Sequence, residues 1–359
     1  MPLDSYHTLG RSGLRVSPLA LGTMTFGQEA WGADHDTSLL LFDRYLELGG
    51  NFVDTADIYS ESRSEELIGE FLELRGVRDR VVLSTKFSLG AIPGDPNSGG
   101  NNRKSMLRAL ESSLRRLKTD YVDLYIVHMW DQITPVDEVM HNLDDAVRSG
   151  KVRYVALSDV PAWYAGSAQT LASLRGWEPL CALQLEYSLL ERGIEYEFPP
   201  MCEQLGMSLM CWGSLSNGLL SGKYRSEEAL DQSKEGRLNA VGSHVPPETI
   251  RMVERTWPIV TELEKVAQEL DHSMAQVALN WISSRPAVGS VIVGATKLGQ
   301  LDDNLGALDF EIPDDFEARL EEASRPGRNA PYYQISWMGP RMNTGVSDKR
   351  RGYFARDAD

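Results

Sequence analysis

The sequence predicts a single α/β domain, a (β/α)8 TIM barrel preceded by a short β-hairpin. Eight short apolar runs occur along the chain, and amphipathic stretches alternate with them. Runs that are apolar throughout are typical of parallel strands buried on both faces. Eight alternating units favour a closed barrel over an open doubly wound sheet. No GxGxxG motif follows the first run, which weighs against a Rossmann domain.

The order of the predicted elements begins with the hairpin, in which Gly10 and Gly13 can take the positive φ of a tight turn. The eight predicted strands are residues 19–21, 51–53, 81–85, 122–127, 152–157, 180–185, 207–211 and 288–293. Helices are predicted between them, for example over residues 36–48, 103–117, 135–149 and 161–174. Apolar residues recur in these stretches at steps of three and four, as on one face of a helix.

Two segments do not fit the alternation. Residues 214–247 form a long, polar, glycine-rich loop after the seventh strand, and a loop of that length is usually functional or disordered. Residues 326–359 form a tail that is aromatic and basic in places, which we expect to be irregular. The prediction is therefore one domain over residues 1–359 with long loops after strand seven and at the carboxyl end.

The formal net charge of −16 over 359 residues indicates an acidic surface. Such a surface repels phosphate backbones and anionic lipids, which argues against nucleic acid and membranes as partners. A local basic pocket for a phosphorylated cofactor is still compatible with this charge. Nothing in the sequence indicates the oligomeric state.

The three cysteines, Cys181, Cys202 and Cys211, show no CxxC spacing. They therefore indicate neither a disulfide framework nor a metal site, and buried reduced thiols are expected for Cys181 and Cys211. The first residues contain no apolar stretch of signal-peptide length, and no run approaches a membrane span. We expect a cytoplasmic location.

Chemically active side chains follow three neighbouring predicted strands. Asp54 follows the second strand, Lys86 the third and His128 the fourth, and Tyr59 lies in the loop after Asp54. Because active sites of such barrels form at the carboxyl ends of the strands, these four residues should meet at one rim.

Proton donation is the chemistry that this set suggests. Free tyrosine titrates near pH 10, and a neighbouring ammonium such as Lys86 should lower the pKa of Tyr59 towards the working range. Asp54 is the natural counter-ion of a buried lysine, and His128 could orient a substrate oxygen. Taken singly, each residue has an ordinary structural explanation as an ion pair or a packing residue. Together on one rim they favour catalysis.

One segment, GGNFVDTADIYSESRSEELIGEFL, resembles the signature of the aldo-keto reductase family, with its aspartate and tyrosine at Asp54 and Tyr59. The chain also contains, in the family's order and spacing, STKF, LYIVHMWD, GKVRYVALSD, LQLEYSLLER and VIVGATKLGQLDDNLGAL. The resemblance covers about residues 5–325. It implies a metal-free barrel that transfers a hydride between NADP(H) and an aldehyde, a ketone or the corresponding alcohol. It also implies the catalytic tetrad Asp54, Tyr59, Lys86 and His128.

The resemblance also implies contacts to the cofactor at three places. Those near the nicotinamide would be Gly22, Thr23, Met24, Asp54, Ser158, Asp159, Gln184 and Trp212. Those along the pyrophosphate would be Gly213, Leu215, Gly218, Leu219 and Lys223. Those at the adenosine-phosphate end would be Gly294, Thr296, Lys297, Gln300, Asp303 and Asn304. This last set opens a predicted helix, whose amino end favours an anion.

The chain departs from the family's usual residues at three of these positions. Asp159 stands where the family usually has asparagine, and an ionised aspartate can only accept hydrogen bonds. It could accept from the carboxamide of the nicotinamide or turn away from it. Trp212 replaces the usual tyrosine that stacks on the ring, and Thr296 stands where many NADP-preferring members carry arginine. Lys297 could supply the charge for the 2′-phosphate less rigidly, so NADP is expected and NAD is not excluded.

The substrate is indicated only by aromatic residues in the loops that wall the pocket in the family. The substrate contacts that we predict are Phe26, Trp31, Tyr59, His128 and Trp130, and simple packing is an equally good explanation for each aromatic taken alone. Trp163 is interpreted as a packing residue. The direction of the reaction stays open between carbonyl reduction and alcohol oxidation. A slow redox-sensing binding subunit is the alternative function of a different class.

Overall fold

The structure is a computed structural model that describes residues 2–28, 30–90, 92–224, 253–327 and 329–342. Eight parallel strands close into a barrel in the order in which they occur along the chain, so the predicted fold class is confirmed. A two-stranded antiparallel hairpin, β1 (His7–Thr8) and β2 (Arg15–Val16), precedes the barrel as predicted.

Each predicted strand overlaps one strand of the barrel. The barrel strands are β3 (Leu19–Gly22), β4 (Phe52–Asp54), β5 (Val82–Phe87), β6 (Val122–Val127), β7 (Val152–Ser158), β8 (Leu180–Glu186), β9 (Ser208–Trp212) and β10 (Val288–Val293). Pairing of β10 with β3 closes the barrel. The register joins Gly22 to Asp54 and Asp54 to Ser84, so polar residues at the ends of neighbouring strands lie at one level.

Within the described residues, eight α-helices lie between successive barrel strands along the chain and three follow β10. They are α1 (His35–Glu47), α2 (Arg63–Arg75), α3 (Arg103–Arg116), α4 (Val136–Arg148), α5 (Ala162–Arg175), α6 (Phe198–Leu205), α7 (Val253–Glu269), α8 (Met274–Ser283), α9 (Leu298–Leu305), α10 (Asp314–Ser324) and α11 (Tyr332–Met342). The four helices that the sequence predicted by range are confirmed within a residue at each end. Side-chain caps set some of these ends, as where Asp34 accepts from the backbone N–H of Thr37 at 2.9 Å.

The core has two parts, as in other barrels of this kind. The larger part lies between the strands and the helices and includes Leu21, Val53 and Leu83. The smaller part fills the interior and includes Phe52 and Ile126 together with Leu9 of the hairpin segment. The hairpin therefore packs against the amino ends of the strands and leaves the carboxyl ends for a site.

The two segments outside the alternation differ from the prediction in one respect. In the loop after β9, Ser216–Ser221 form a short 3-10 segment, and residues 225–252 lie outside the described part. The tail was expected to be irregular, but α11 is helical; residues 343–359 are outside the described part.

The cysteine prediction is confirmed, because Cys181, Cys202 and Cys211 are all buried and free. Burial raises the pKa of Cys181 and of Cys202 to about 12, which makes both thiols unreactive. A search of the described residues finds no helix that is both long and apolar enough to cross a membrane.

Candidate active site

Lys86 is the centre of the cluster at the carboxyl ends of the strands. Its side chain is fully buried, and its Nζ donates to Asp54 Oδ2 at 2.6 Å, to the Thr55 carbonyl at 2.8 Å and to the Tyr59 hydroxyl at 3.0 Å. The three N–H groups of the ammonium therefore each have an acceptor. The structure thus brings together Asp54, Lys86 and Tyr59, as the sequence predicted.

Asp54 is held by two further donors on its other oxygen. Ser84 Oγ donates to Asp54 Oδ1 at 2.8 Å, and Gln184 Nε2 donates to the same atom at 3.0 Å. Sequence reasoning missed Ser84. Alternation along β5 could have indicated it, because Ser84 and Lys86 are two residues apart and therefore lie on the same face of the strand.

Burial decides the direction of the pKa shift at Tyr59. Burial raises the pKa of Tyr59 above its ordinary value, and this effect outweighs the attraction of the Lys86 ammonium for the phenolate. The expectation that Lys86 brings about a net lowering is therefore wrong for this structure. Burial also disfavours the Lys86 ammonium, but attraction to Asp54 and Tyr59 outweighs it and raises the pKa of Lys86. The phenol and the ammonium are consequently both protonated at neutral pH.

His128 is the fourth member of the predicted tetrad. Its ring meets the edge of the Tyr59 ring, with 5.8 Å between the centroids. Burial, and then the nearby Lys86 charge, lowers the pKa of His128 to about 3, so the imidazole is neutral at physiological pH. Its Nδ1 atom is buried and has no hydrogen-bond partner within the described residues. A neutral ring with one unused nitrogen is suited to binding a small polar group.

Asp159 occupies the position directly after β7. Its Oδ1 accepts from the indole Nε1 of Trp212 at 3.1 Å, and its Oδ2 is 3.4 Å from the donating Oγ of Ser158. Burial raises the pKa of Asp159 to about 6, and the hydrogen bonds from Trp212 and Ser158 oppose this effect. The structure therefore brings together three predicted nicotinamide contacts at the ends of β7 and β9.

The predicted contacts at the end of β3 serve packing as well. A Cβ atom at Gly22 would lie 2.7 Å from Ile292 Cγ2, so glycine is required where β3 approaches β10. Thr23 is fully buried; its Oγ1 donates to the Asp54 carbonyl at 3.0 Å and lies 2.8 Å from Ser64 Oγ. Met24 is half-buried.

The predicted pyrophosphate contacts follow β9 in a tight loop. Gly213 and Gly218 have φ values of 69° and 98°, which favour glycine. Leu215 and Leu219 are half-buried, and Lys223 is exposed. Within its described residues, this loop therefore offers backbone groups and the Lys223 cation.

The predicted adenosine-phosphate contacts surround the amino end of α9. Asn304 Nδ2 donates to the Gly294 carbonyl at 3.3 Å, and Gln300 Oε1 accepts from the Thr296 backbone at 2.9 Å and from its hydroxyl at 3.0 Å. These two side chains fix the loop before the helix. Lys297 is exposed and directly precedes the helix.

Asp303 and Gly294, which belong to the same set, differ in their accessibility to a ligand. Asp303 Oδ2 accepts from Ser273 Oγ at 2.9 Å, so this carboxylate already has a partner. Gly294 is exposed, and the nearest atom to a Cβ placed there would be the Gly22 carbonyl oxygen at 3.9 Å. The backbone around Gly294 is thus open to a ligand.

Comparison with known proteins decides the family. The chain matches the sequence model of the Aldo/keto reductase family over residues 18–325. This protein belongs to the aldo-keto reductase family. Three similar proteins are an aryl-alcohol dehydrogenase [NADP(+)] of Phanerodontia chrysosporium, a norsolorinic acid reductase of Aspergillus flavus and the uncharacterized oxidoreductase YrpG of Bacillus subtilis.

The similarity extends over nearly the whole chain. The dehydrogenase is 35% identical over 95% of this chain and 90% of its own length. The norsolorinic acid reductase is 35% identical over 89% of this chain and 81% of its own length, and YrpG is 34% identical over 91% and 98%. This aldo-keto reductase is therefore an oxidoreductase.

The aromatic residues predicted to contact substrate in this aldo-keto reductase are not equally accessible. Phe26 is fully buried in the core, so its ring has no open face, and we withdraw it as a substrate contact. Trp31 and Trp130 are half-buried. Trp163 is 61% exposed and meets Trp130 edge to face with 5.6 Å between the ring centroids. It packs against Trp130 as well as Tyr164 and extends the Trp130 aromatic surface into solvent.

Proposed function

We propose that this chain transfers a hydride between NADP(H) and an aldehyde or ketone, or the corresponding alcohol. In this proposal Tyr59 donates the proton in reduction and accepts it in oxidation. The observation that carries the proposal is the buried Lys86 ammonium, which donates to Asp54 and to Tyr59 at once. A lysine so placed stabilises the phenolate that forms when Tyr59 gives up its proton.

The residues of this chain divide the proton chemistry among them. Tyr59 carries its proton at neutral pH, because its ordinary pKa near 10 already lies above neutral pH and burial raises it further. Asp54 keeps the buried Lys86 charged, and Ser84 and Gln184 hold Asp54 in place. His128 is neutral, so it can donate one hydrogen bond to a substrate oxygen without adding a second positive charge beside Lys86.

The cofactor that we propose is NADP(H), which supplies or accepts the hydride when bound. Ser158, Asp159, Gln184 and Trp212 would hold the nicotinamide, and the loop from Gly213 to Lys223 would hold the pyrophosphate. The open backbone at Gly294 and the exposed Lys297 at the start of α9 fit a phosphate, because a helix amino end and a cation both attract an anion. The name of the similar Phanerodontia dehydrogenase also includes NADP(+).

The substrate class that we propose is an aryl aldehyde, aryl ketone or aryl alcohol. Trp130 lies two residues after His128 along the chain, and Trp163 extends the aromatic surface outwards. Such a surface favours a flat ring over an aliphatic chain. An aryl alcohol also stands in the name of one similar protein. Trp31 is a further proposed wall residue.

The proton-transfer step is tested by replacing Tyr59 with phenylalanine. We expect Tyr59→Phe to lower kcat for NADPH-dependent reduction of an aryl aldehyde by about a hundredfold or more, because a positioned acid contributes on that order. The matched control is Tyr6→Phe, since Tyr6 is exposed and its hydroxyl donates to the Gly49 carbonyl, away from the predicted catalytic residues. Equal rates in Tyr59→Phe and wild type would refute Tyr59 as the acid. Tight cofactor binding without turnover of any carbonyl or alcohol would instead favour the binding subunit.

The cofactor preference is tested with dissociation constants for NADPH and NADH. We expect NADPH to bind at least about tenfold more tightly, which corresponds to about 1.4 kcal/mol. Lys297→Ala should weaken NADPH and leave NADH unchanged, because only NADPH carries the 2′-phosphate. If wild type binds NADPH less than about tenfold more tightly than NADH, Lys297 contributes little to binding the 2′-phosphate.

A further inference from the structure

Asp159 places an acidic side chain among the groups that we propose hold the nicotinamide. Within the described residues, the two donors to its carboxylate are the indole of Trp212 and the hydroxyl of Ser158, and both are uncharged. Its negative charge is therefore oriented by these contacts but not neutralised by them. The indole fixes one oxygen, so the carboxylate and the Trp212 ring form a single rigid unit at the ends of β7 and β9.

The backbone of Asp159 is fixed in a conformation that suits aspartate and asparagine equally. Its φ of 45° is in the left-handed region, which these two residue types enter more readily than other non-glycine residues. The Asp159 N–H donates to the Gln184 carbonyl at 3.2 Å, and its carbonyl accepts from the Trp130 N–H at 3.4 Å. The backbone geometry therefore does not explain why the side chain is an acid rather than an amide.

The charge of Asp159 reaches the catalytic cluster. It contributes to raising the pKa of Tyr59, and Lys86 in turn contributes to lowering the pKa of Asp159 itself. The charge of Asp159 also contributes to raising the pKa of Glu186 on β8. Charged and titratable groups therefore face Asp159 from the loop after β4, from β5 and from β8.

We propose that Asp159 makes the site discriminate between the two redox states of the cofactor and favour the oxidised one. The oxidised nicotinamide ring carries a positive charge that the reduced ring lacks, so a neighbouring carboxylate attracts the oxidised form alone. An amide at the same position would attract both forms alike. The inference rests on the proposed function, because it requires a nicotinamide beside Trp212. Its consequence is an equilibrium on the enzyme that is shifted towards NADP+ and alcohol, the products of carbonyl reduction.

The test compares dissociation constants of NADP+ and NADPH for wild type and Asp159→Asn at about pH 8, where a carboxyl is ionised. We expect the constant for NADP+ to rise about tenfold in the variant, or about 1.4 kcal/mol, and the constant for NADPH to change by less than about twofold. Asp43→Asn is the matched control, because it removes the same charge from a half-buried residue on α1 that binds Arg75 at the end of α2. Equal changes for both forms in Asp159→Asn would overturn the proposal.

A second measurement does not depend on the folding of Asp159→Asn. Burial raises the pKa of Asp159 to about 6, so lowering the pH from about 8 to about 5 protonates it. Glu186→Gln serves as the background, since the neighbouring carboxyl then cannot titrate. The ratio of the NADP+ constant to the NADPH constant should rise about tenfold; the cofactor phosphates titrate alike in both forms and cancel. A ratio that does not change with pH would overturn the proposal.

The outcome separates the two proposals. If the protein binds neither NADP+ nor NADPH, the proposed function fails and this inference fails with it. If wild type binds both forms and Asp159→Asn leaves their ratio unchanged, the proposed function stands and the role of Asp159 as a redox-state selector is refuted.

Discussion

Glu186 is a carboxyl at the end of β8 whose titration should be visible in the stability of the protein. Burial raises the pKa of Glu186 from 4.5 to about 7, and the charges of Glu191 and Asp159 add to this effect. Between these two pH values the folded state holds a proton that the unfolded state has lost. The free energy of unfolding therefore decreases as pH rises from about 4.5 through about 7.

The variant Glu186→Gln should remove this loss. The full pKa shift corresponds to about 3 kcal/mol, and we expect about half of it because solvent reaches part of the side chain. Urea denaturation at about pH 8 should show the variant to be more stable by about 1–2 kcal/mol, whereas at about pH 4 the two proteins should be similar. A gain of equal size at both pH values would mean that ionisation of Glu186 is not its cause.

At the scale of residues, the sequence was sufficient to find the chemistry but not its electrostatics. Asp54 and Lys86 end apolar strands, and that placement alone predicted that they meet. The direction of the Tyr59 pKa shift depends on two opposing effects, the burial of the phenol and its distance from the Lys86 ammonium. Neither can be obtained from the sequence alone. The burial of Phe26 is likewise a property of the folded loop.

At the scale of elements, α2 and α3 are joined by a buried charge. Glu65 on α2 is fully buried, and its two oxygens accept from Arg116 Nε on α3 and from Thr85 Oγ1 on β5, at 2.6 and 2.5 Å. The pair fixes the two helices relative to the strand behind them. Since Glu65 has no access to solvent, Arg116 supplies the positive charge that compensates its buried carboxylate.

The variant Arg116→Met should therefore destabilise the protein by about 3 kcal/mol, because it leaves a buried carboxylate without its partner. Arg75→Met is the control: Arg75 also joins two helices by binding Asp43, but the pair is solvent-exposed and should contribute far less. Denaturant midpoints of both variants give the comparison. Similar losses in the two would contradict the importance of burial for the Glu65–Arg116 pair.

Some barrel strands extend one residue beyond the apolar run from which they were predicted. The apolar runs end before polar residues such as Asp54 and Ser158, so the predicted strands stop one residue early. Backbone pairing nevertheless includes these polar residues. The helix α11 was missed because glycine and proline interrupt its pattern at Gly339 and Pro340. The two strands of the hairpin, β1 and β2, were predictable because Gly10 and Gly13 mark the turn between them.

In the whole molecule, the hairpin that closes the amino end of the barrel and the predicted catalytic residues lie at opposite ends of the barrel. Gly10 of the hairpin has a φ of 55°, and a Cβ atom there would lie 2.5 Å from the carbonyl oxygens of Cys181 and Gly206. The hairpin can therefore pack against the barrel only with glycine at this position. The predicted catalytic residues lie at the carboxyl ends of the strands, away from this contact.

The variant Gly10→Ala should accordingly lose about 3 kcal/mol of stability, from backbone strain and overpacking together. Below its unfolding transition it should bind NADPH as wild type does. Gly13→Ala is the control, because a Cβ atom at Gly13 has no neighbour within 4 Å. Thermal unfolding and cofactor titration check both statements. Weakened NADPH binding in folded Gly10→Ala would show that the two ends are coupled.

Hydride transfer at the rim that Asp54, Tyr59, Lys86 and His128 form can be followed with an isotope label on the cofactor. NADPH deuterated at its transferable position is incubated with an aryl aldehyde and the protein, and the alcohol is examined by mass spectrometry. We expect deuterium on the carbon of the new alcohol with wild type and at least about a hundredfold slower appearance with Tyr59→Phe. Alcohol formed without deuterium, or no alcohol from any aryl carbonyl while NADPH binds, would refute hydride transfer by this protein.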